Sequence, residues 1–299
     1  MLTPALCAFG FNDGWGLEGS LRLTRDLGFR VADASAAQLG GQDRIAADPA
    51  VAAQALRSAA ASAEVRLEEF AIFPIQLEGR PRLGLDQDPA LRTAISARWQ
   101  KLCACAAAAG CRSILGAVGH LDPALGPERS FDLVTSATRD WAQTAAHHGL
   151  VFTAEVDADG WFGTPADAAR FIAAVDHPAF ALTLDFAHFI SRGRALADCF
   201  YLLPWARHFH IKQARPGYLK SLWHRGTIDF SPLLAALRAR QWSGALAIET
   251  AGYHVPGHPW PAYAEVRYPY APEAPVPGLL SHPAHQAALH AQALADLLP

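Results

Sequence analysis

Leu182-Thr-Leu-Asp-Phe-Ala-His-Phe189, followed by His208-Phe-His-Ile-Lys-Gln213, is the stretch from which the fold is read. Each piece opens as a short apolar run, the pattern of a parallel strand buried on both faces. Each then presents polar groups where the strand should end: Asp185 and His188 in the first, His210 and Lys212 in the second. Val151-Phe-Thr-Ala-Glu-Val156 repeats the design with Glu155, and Ala245-Leu-Ala-Ile-Glu-Thr250 repeats it with Glu249. The four runs follow one another at intervals of roughly 25 to 40 residues, about one βα unit each. Ionised groups at the ends of apolar strands are costly unless something pairs with them, and a divalent cation would be such a partner.

Further strand signals lie upstream, at 6–12, 28–33, 65–72 and 111–118. Helical patterns alternate with them. One spans about 19–27, after a Gly/Trp loop at 13–16, and an Ala-rich one spans 49–63. Others cover 88–109 and 130–148, the latter with Ser130 as expected cap. Thr164-Pro-Ala-Asp167 reads as a helix start, with a cap, a proline at the first helical position and an acid in the first turn. Another helix follows Asp229. Eight strand signals alternating with eight helices argue for an α/β chain folded as one (β/α)8 TIM barrel over residues 1–299. The usual nucleotide signatures of an open doubly wound sheet, a GxGxxG or a P-loop after the first strand, are missing. Residues 251–281 read as a long irregular Pro/aromatic loop after strand eight, and 282–298 as a terminal helix. The loop's Trp260, Tyr263, Tyr268 and Tyr270 favour an ordered lid or an interface over a floppy tail.

Composition narrows the class. Hydrophobic residues make up 51% of the 299 and charged residues 18%, enough for a large core. A formal charge of −3 gives no electrostatic reason to expect nucleic acid or an anionic membrane as partner. No apolar run reaches membrane-spanning length, and the N-terminus lacks a signal-peptide pattern, so a cytoplasmic protein is expected. The five cysteines contain no CxxC pair and read as small buried hydrophobes in a reducing compartment.

In a barrel, the ends of strands five to eight converge on one mouth. Glu155, Asp185, His210 and Glu249 would then make an oxygen-rich site suited to a divalent metal, with Mn²⁺ preferred and Co²⁺, Mg²⁺ or Zn²⁺ compatible. Such a cation can hold two adjacent sugar oxygens, polarise a carbonyl and stabilise an enediolate. Glu155 and Glu249, on opposite faces of the substrate, would pass the proton off and on. His208 points to the same side of its strand as His210, but His210 is nearer the strand end and is the expected ligand. Lys212 is a substrate contact or charge partner, or otherwise an ordinary solvated lysine. Trp15 either stacks on a sugar or lines the rim. His120, after strand four, is a mouth candidate, whereas His254 and His258 lack a matching carboxylate pattern.

This constellation resembles the sugar phosphate isomerase/epimerase family of the xylose isomerase-like barrel superfamily, which includes ketohexose 3-epimerases. The resemblance spans most of the chain and is most specific from Glu155 to Glu249. It implies a metal held by Glu155, Asp185, His210 and Glu249, with His188 of Asp185-Phe-Ala-His188 on a substrate oxygen and Arg215 contacting the sugar. Arg225-Gly-Thr-Ile-Asp-Phe230 resembles the family's phrase before helix seven and reads as a turn with a cap at Asp229. The resemblance implies a metal-dependent isomerase or epimerase of a sugar or polyol, with a homo-oligomer compatible. The alternatives are a lyase of the same fold, inosose dehydratase-like or C-glycoside-cleaving, and a non-catalytic barrel. An AP-endonuclease-like activity needs extra histidines at strands three and four, and strand three here ends in Phe73-Pro74.

Overall fold

The computed structural model describes residues 1–119, 121–156, 160–250, 252–253, 261–276 and 278–297. Eight parallel strands close into a barrel in sequence order: β1 (Leu2–Cys7), β2 (Val31–Ser35), β3 (Arg66–Phe73), β4 (Ser113–Gly116), β5 (Val151–Glu155), β6 (Phe180–Asp185), β7 (Ala206–Ile211) and β8 (Gly244–Ile248), with β8 beside β1. The (β/α)8 expectation is met. The helices between strands are α1 (Asn12–Asp26), α2 (Gln42–Ala47), α3 (Pro49–Ser62), α4 (Pro89–Ala109), α5 (Pro127–His147), α6 (Pro165–Val175), α7 (Phe186–Ser191), α8 (Leu196–Cys199) and α9 (Ser231–Ala239), and α10 (Pro283–Leu297) ends the chain.

The chain divides into two compact units, the first comprising residues 1–33, 59–66 and 184–299, the second 34–58 and 67–183. In the first, β1 pairs with β8 from Leu2–Gly244 to Leu6–Ile248, and β8 with β7 at Ala247–His210. Side chains alternate along each strand with period two. Phe209 of β7 therefore packs outward on Trp242, ring centroids 5.0 Å apart, while His208 and His210 share the opposite side. That side is lined by small residues, Ala5, Cys7, Val31, Ala245 and Ala247, which leave room for the imidazoles. In the second unit, β4 pairs with β5 and β5 with β6, ending at Glu155–Thr183. Asp88 caps α4 through Ala90 N (2.9 Å), and Thr164 caps α6 through Asp167 N (3.1 Å).

Several boundaries differ from the sequence reading, each for a local reason. Helix α1 starts at Asn12, so Trp15 lies on a helix rather than in a loop; Gly14 (φ +93°) and Gly16 (φ +62°) accommodate its irregular first turns. Helix α5 starts at Pro127 after Gly126, so Ser130 is inside it, where its hydroxyl accepts from Asp122 N (3.0 Å) instead of capping. The segment after β8 is less irregular than its composition suggests. Ala262–Tyr263 pairs with Gly252–Tyr253, and Val266–Arg267 pairs with both Ala271–Pro272 and Tyr218–Lys220. None of these short strands has a periodicity to announce it, and the partner at Tyr218–Lys220 lies more than 40 residues away in sequence.

The Arg225–Phe230 phrase is anchored by Gln213. Its side chain donates to Ile228 O (2.9 Å) and accepts from Ile228 N (3.0 Å). A Cβ on Gly226 would fall 2.1 Å from Gln213 Oε1, so glycine is required there by space. Asp229 accepts from Ser231 N (2.9 Å), and the Ser231 bonds hold its carboxyl below the usual range. Helix α10 is stitched on through Gln286 and His290. The His290 ring accepts from Gln213 N (3.2 Å) and donates from Nδ1 to Gln286 O (2.8 Å).

Burial lowers the His290 pKa to about 4, with the bond to Gln286 opposing the shift only in part. The folded protein therefore keeps this ring neutral while the unfolded chain takes up a proton below its ordinary pKa of 6.5. The resulting stability is complete above pH 6.5 and drains away as the pH falls toward 4, by up to roughly 3 kcal/mol. Urea unfolding midpoints should fall across that window, and His290→Gln should flatten the slope; parallel profiles for the two proteins would rule the account out.

All five cysteines are free and buried. Burial pushes the thiols of Cys105 and Cys199 up to about 11 and 12, so they behave as inert apolar groups. No described helix is long and apolar enough to cross a membrane.

Candidate metal centre

Asp185 ends β6 and caps α7 at once. Its Oδ1 accepts from Ala187 N (2.9 Å), which fixes the carboxylate and turns Oδ2 toward other partners. Those partners are Lys212 Nζ, in an ion pair, and His188 Nε2 at 3.7 Å. His210 occupies the last turn of the pleat in β7, with Nδ1 3.4 Å from Glu249 Oε2. Glu249 lies one residue past β8, where its N–H still bonds Ile211 O (3.0 Å), so the strand ladder sets its position. Its Oε2 accepts from Lys212 Nζ (2.9 Å) and its Oε1 from Lys220 Nζ (2.7 Å). Glu155 is the last residue of β5 and is half-buried.

Glu155, Asp185, His210 and Glu249 each offer a ligand atom, and these four atoms all lie within 4.8 Å of one another. Three carboxylate oxygens and one imidazole nitrogen at that spacing fit a hard divalent cation. Two other groupings share His210: Cys7 with Asp33, and Glu69 with His208. Every member of both is buried, whereas Glu155 and Glu249 are only partly so. A site that must exchange substrate needs that opening.

The buried groups have structural employment. His208 Nε2 lies 2.8 Å from Asp33 Oδ2, both side chains fully enclosed, and the His208 ring stands edge-on to His210 with centroids 5.6 Å apart. Glu69, also fully buried, accepts from the hydroxyls of Ser113 (3.1 Å), Thr153 (2.7 Å) and Thr183 (2.9 Å). Three donated bonds satisfy a carboxylate that would otherwise be prohibitively costly. Carboxylates in the middle of apolar strands, as in Leu67-Glu-Glu-Phe70 and Val31-Ala-Asp33, were the sequence signal for this layer.

The remaining candidates are placed as follows. Lys212 is buried and bridges Asp185 and Glu249, so it is not an ordinary solvated lysine. Arg215 stacks its guanidinium over Tyr218, 3.4 Å from the ring centroid, and its Nη2 reaches Glu265 Oε2 at 3.3 Å. Its Nη1 is buried without a hydrogen-bond partner, a donor available to a ligand. Trp15 is half-buried and packs edge-on against His282, centroids 6.3 Å apart. His120, His254, His258 and Trp260 lie outside the described residues. Sequence reasoning missed Lys220 and Glu265. Glu265 is buried and gathers Arg215, Arg225 (2.8 Å) and Leu222 N (3.2 Å), locking the segment after β8 onto the loop after β7. A lysine in a loop and an acid in an irregular segment carry no local signature of either role.

Fold and site together define a (β/α)8 barrel with a carboxylate–imidazole cluster at the C-terminal ends of its later strands. Residues 21–267 match the family described as xylose isomerase-like TIM barrel. The chain belongs to that family. Among solved structures it is similar to a D-psicose 3-epimerase from Clostridium cellulolyticum H10, at 16% identity and TM-score 0.70, covering 98% of this chain and 97% of that one. It is also similar to a 3-keto-D-glucoside 4-epimerase from E. coli, at 17% and 0.67, covering 99% and 98%. A third similarity is to a probable 3-DHS dehydratase from Bacillus anthracis, at 14% and 0.64, covering 83% and 92%. No curated protein sequence matches the chain. At these identities the likeness is one of fold.

Proposed function

We propose that the protein is a divalent-metal-dependent isomerase or epimerase that moves a proton next to the carbonyl of a keto sugar or related polyol. The observation that carries this reading is the convergence of Glu155, Asp185, His210 and Glu249 within 4.8 Å. Those four residues would hold the cation, Mn²⁺ being the best match to the donor set. When bound, it would polarise the substrate carbonyl and acidify the neighbouring C–H.

The chain's own groups supply the rest. Asp185 is committed to the α7 N-terminus and to Lys212, so it serves as a fixed ligand rather than a base. Glu155 and Glu249 exchange the proton, one removing it and the other returning it on the opposite face. Lys212, bridging two of the carboxylates, keeps them anionic and oriented. His188, buried beside Asp185, donates to a substrate oxygen, and Arg215 offers its unpaired Nη1 to another. Trp15 borders the substrate from α1. The D-psicose and 3-keto-D-glucoside epimerases are consistent with proton transfer in this fold, and the probable dehydratase keeps elimination as the second reading.

NMR of keto sugars incubated in D₂O with the Mn²⁺-loaded protein separates the readings. Solvent deuterium in an isomer or epimer is expected. Loss of water or an aglycone would establish the lyase instead, and no exchange with any keto sugar or inositol ketone would count against both.

A further inference from the structure

Lys220 is the cation of this site that no strand end announces. It closes the short strand Tyr218–Lys220, which is held against Val266–Arg267 of the segment after β8. Tyr268 N bonds Gly217 O (2.9 Å) and Tyr218 OH donates to Glu273 (2.8 Å) at the start of the strand, and the Lys220–Val266 pair holds its end. The consequence is an ammonium 2.7 Å from Glu249 Oε1 with a side chain only 12% exposed. An ammonium carries three N–H donors. Among the described residues, Glu249 is the only acceptor Lys220 meets, whereas Lys212 is shared between Asp185 and Glu249. Lys220 therefore holds two donors in reserve beside a proposed ligand.

The charges point the same way. Glu249 is one carboxylate meeting two ammoniums, and Lys212 also has Asp185 whereas Lys220 does not. Once Glu249 is shared with a cation as well, the Lys220 ammonium is left short of negative charge in a largely buried place, which calls for an anion. From these observations we infer that Lys220 is a substrate-binding residue that pairs with a carboxylate on the substrate, so that the preferred substrate is a sugar acid and not a neutral ketose. This rests on the metal-site reading above. It also gives the segment after β8 a purpose, which is to present Lys220 to the site.

The test is calorimetric titration of the Mn²⁺-loaded protein with D-fructose and with D-fructuronate, which carries a carboxylate at C6 in place of the hydroxymethyl group. Wild type should bind the acid more tightly by on the order of tenfold or more, the range of a charge-assisted contact. Lys220→Met should bring the ratio near one, and Lys220→Arg should keep part of it. Equal affinities in wild type would overturn the assignment, because an ammonium serving only the reaction's developing negative charge leaves ground-state binding indifferent to the carboxylate. A preference that persists in Lys220→Met, or failure to bind either sugar, would overturn it as well. Mn²⁺ titration of the same samples keeps the two claims apart: loss of metal binding in wild type removes the metal site itself, while intact metal binding with indifferent sugars removes Lys220 alone.

Discussion

Glu249→Gln should lower Mn²⁺ affinity by more than the roughly 10–100-fold that losing an outer partner of a metal ligand costs. Glutamine keeps the shape and one oxygen but loses the anion. That anion faces His210 and two ammoniums, at 3.4, 2.9 and 2.7 Å. The variant should also be less stable without metal, by about 3 kcal/mol, because one neutral oxygen cannot serve both Lys212 and Lys220 and neither ammonium keeps an anion there. Metal titration and urea unfolding on the same preparation read both effects. A variant that binds Mn²⁺ as wild type does would remove Glu249 from the site, whatever its stability. Unchanged stability with lost binding would mean that the lysine contacts contribute nothing to the fold.

Asp33→Ala should give the other large effect, at a position outside the four proposed ligands. Asp33 and His208 are fully enclosed and 2.8 Å apart. Removing the carboxylate leaves a buried imidazole nitrogen without its partner, and Cys7 Sγ, 3.6 Å from the same oxygen, also loses its neighbour. The cost falls between losing a buried charged hydrogen bond and breaking a buried ion pair, about 3 kcal/mol. Asp33→Asn, which keeps an acceptor, should cost less. Because the His208 ring supports His210 edge-on, Mn²⁺ affinity should also fall, by about tenfold. An alanine variant as stable as wild type would show that the layer beneath the site carries no weight.

The legible parts of this molecule were those written locally. An apolar run ending in an acid or imidazole names both a buried parallel strand and a candidate ligand at its end, which is why Glu155, Asp185, His210 and Glu249 could be picked out before any coordinates. Period two likewise put His208 and His210 on one side. The Thr164 cap was visible because capping is a contact between near neighbours. What escaped was written between distant residues. Lys220 reaches Glu249 because Tyr218–Lys220 pairs with a strand more than 40 residues later, through a two-residue ladder with no periodicity of its own. Glu265 is invisible for the same reason. The glycines at 14 and 16 read as a loop because glycine usually marks one, yet here they bend the first turns of α1. Arg215 was picked for its place beyond β7; its capture by Glu265 and Tyr218 could be seen only once the segment after β8 was folded back.

Crystals soaked in Mn²⁺ and measured at the manganese absorption edge test the central claim most directly. One strong anomalous peak is predicted, within about 2.0–2.4 Å of a carboxylate oxygen from each of Glu155, Asp185 and Glu249 and of a ring nitrogen of His210. A peak on the Cys7–Asp33 or Glu69–His208 grouping instead, or none at all in crystals that take up the metal elsewhere, would contradict it.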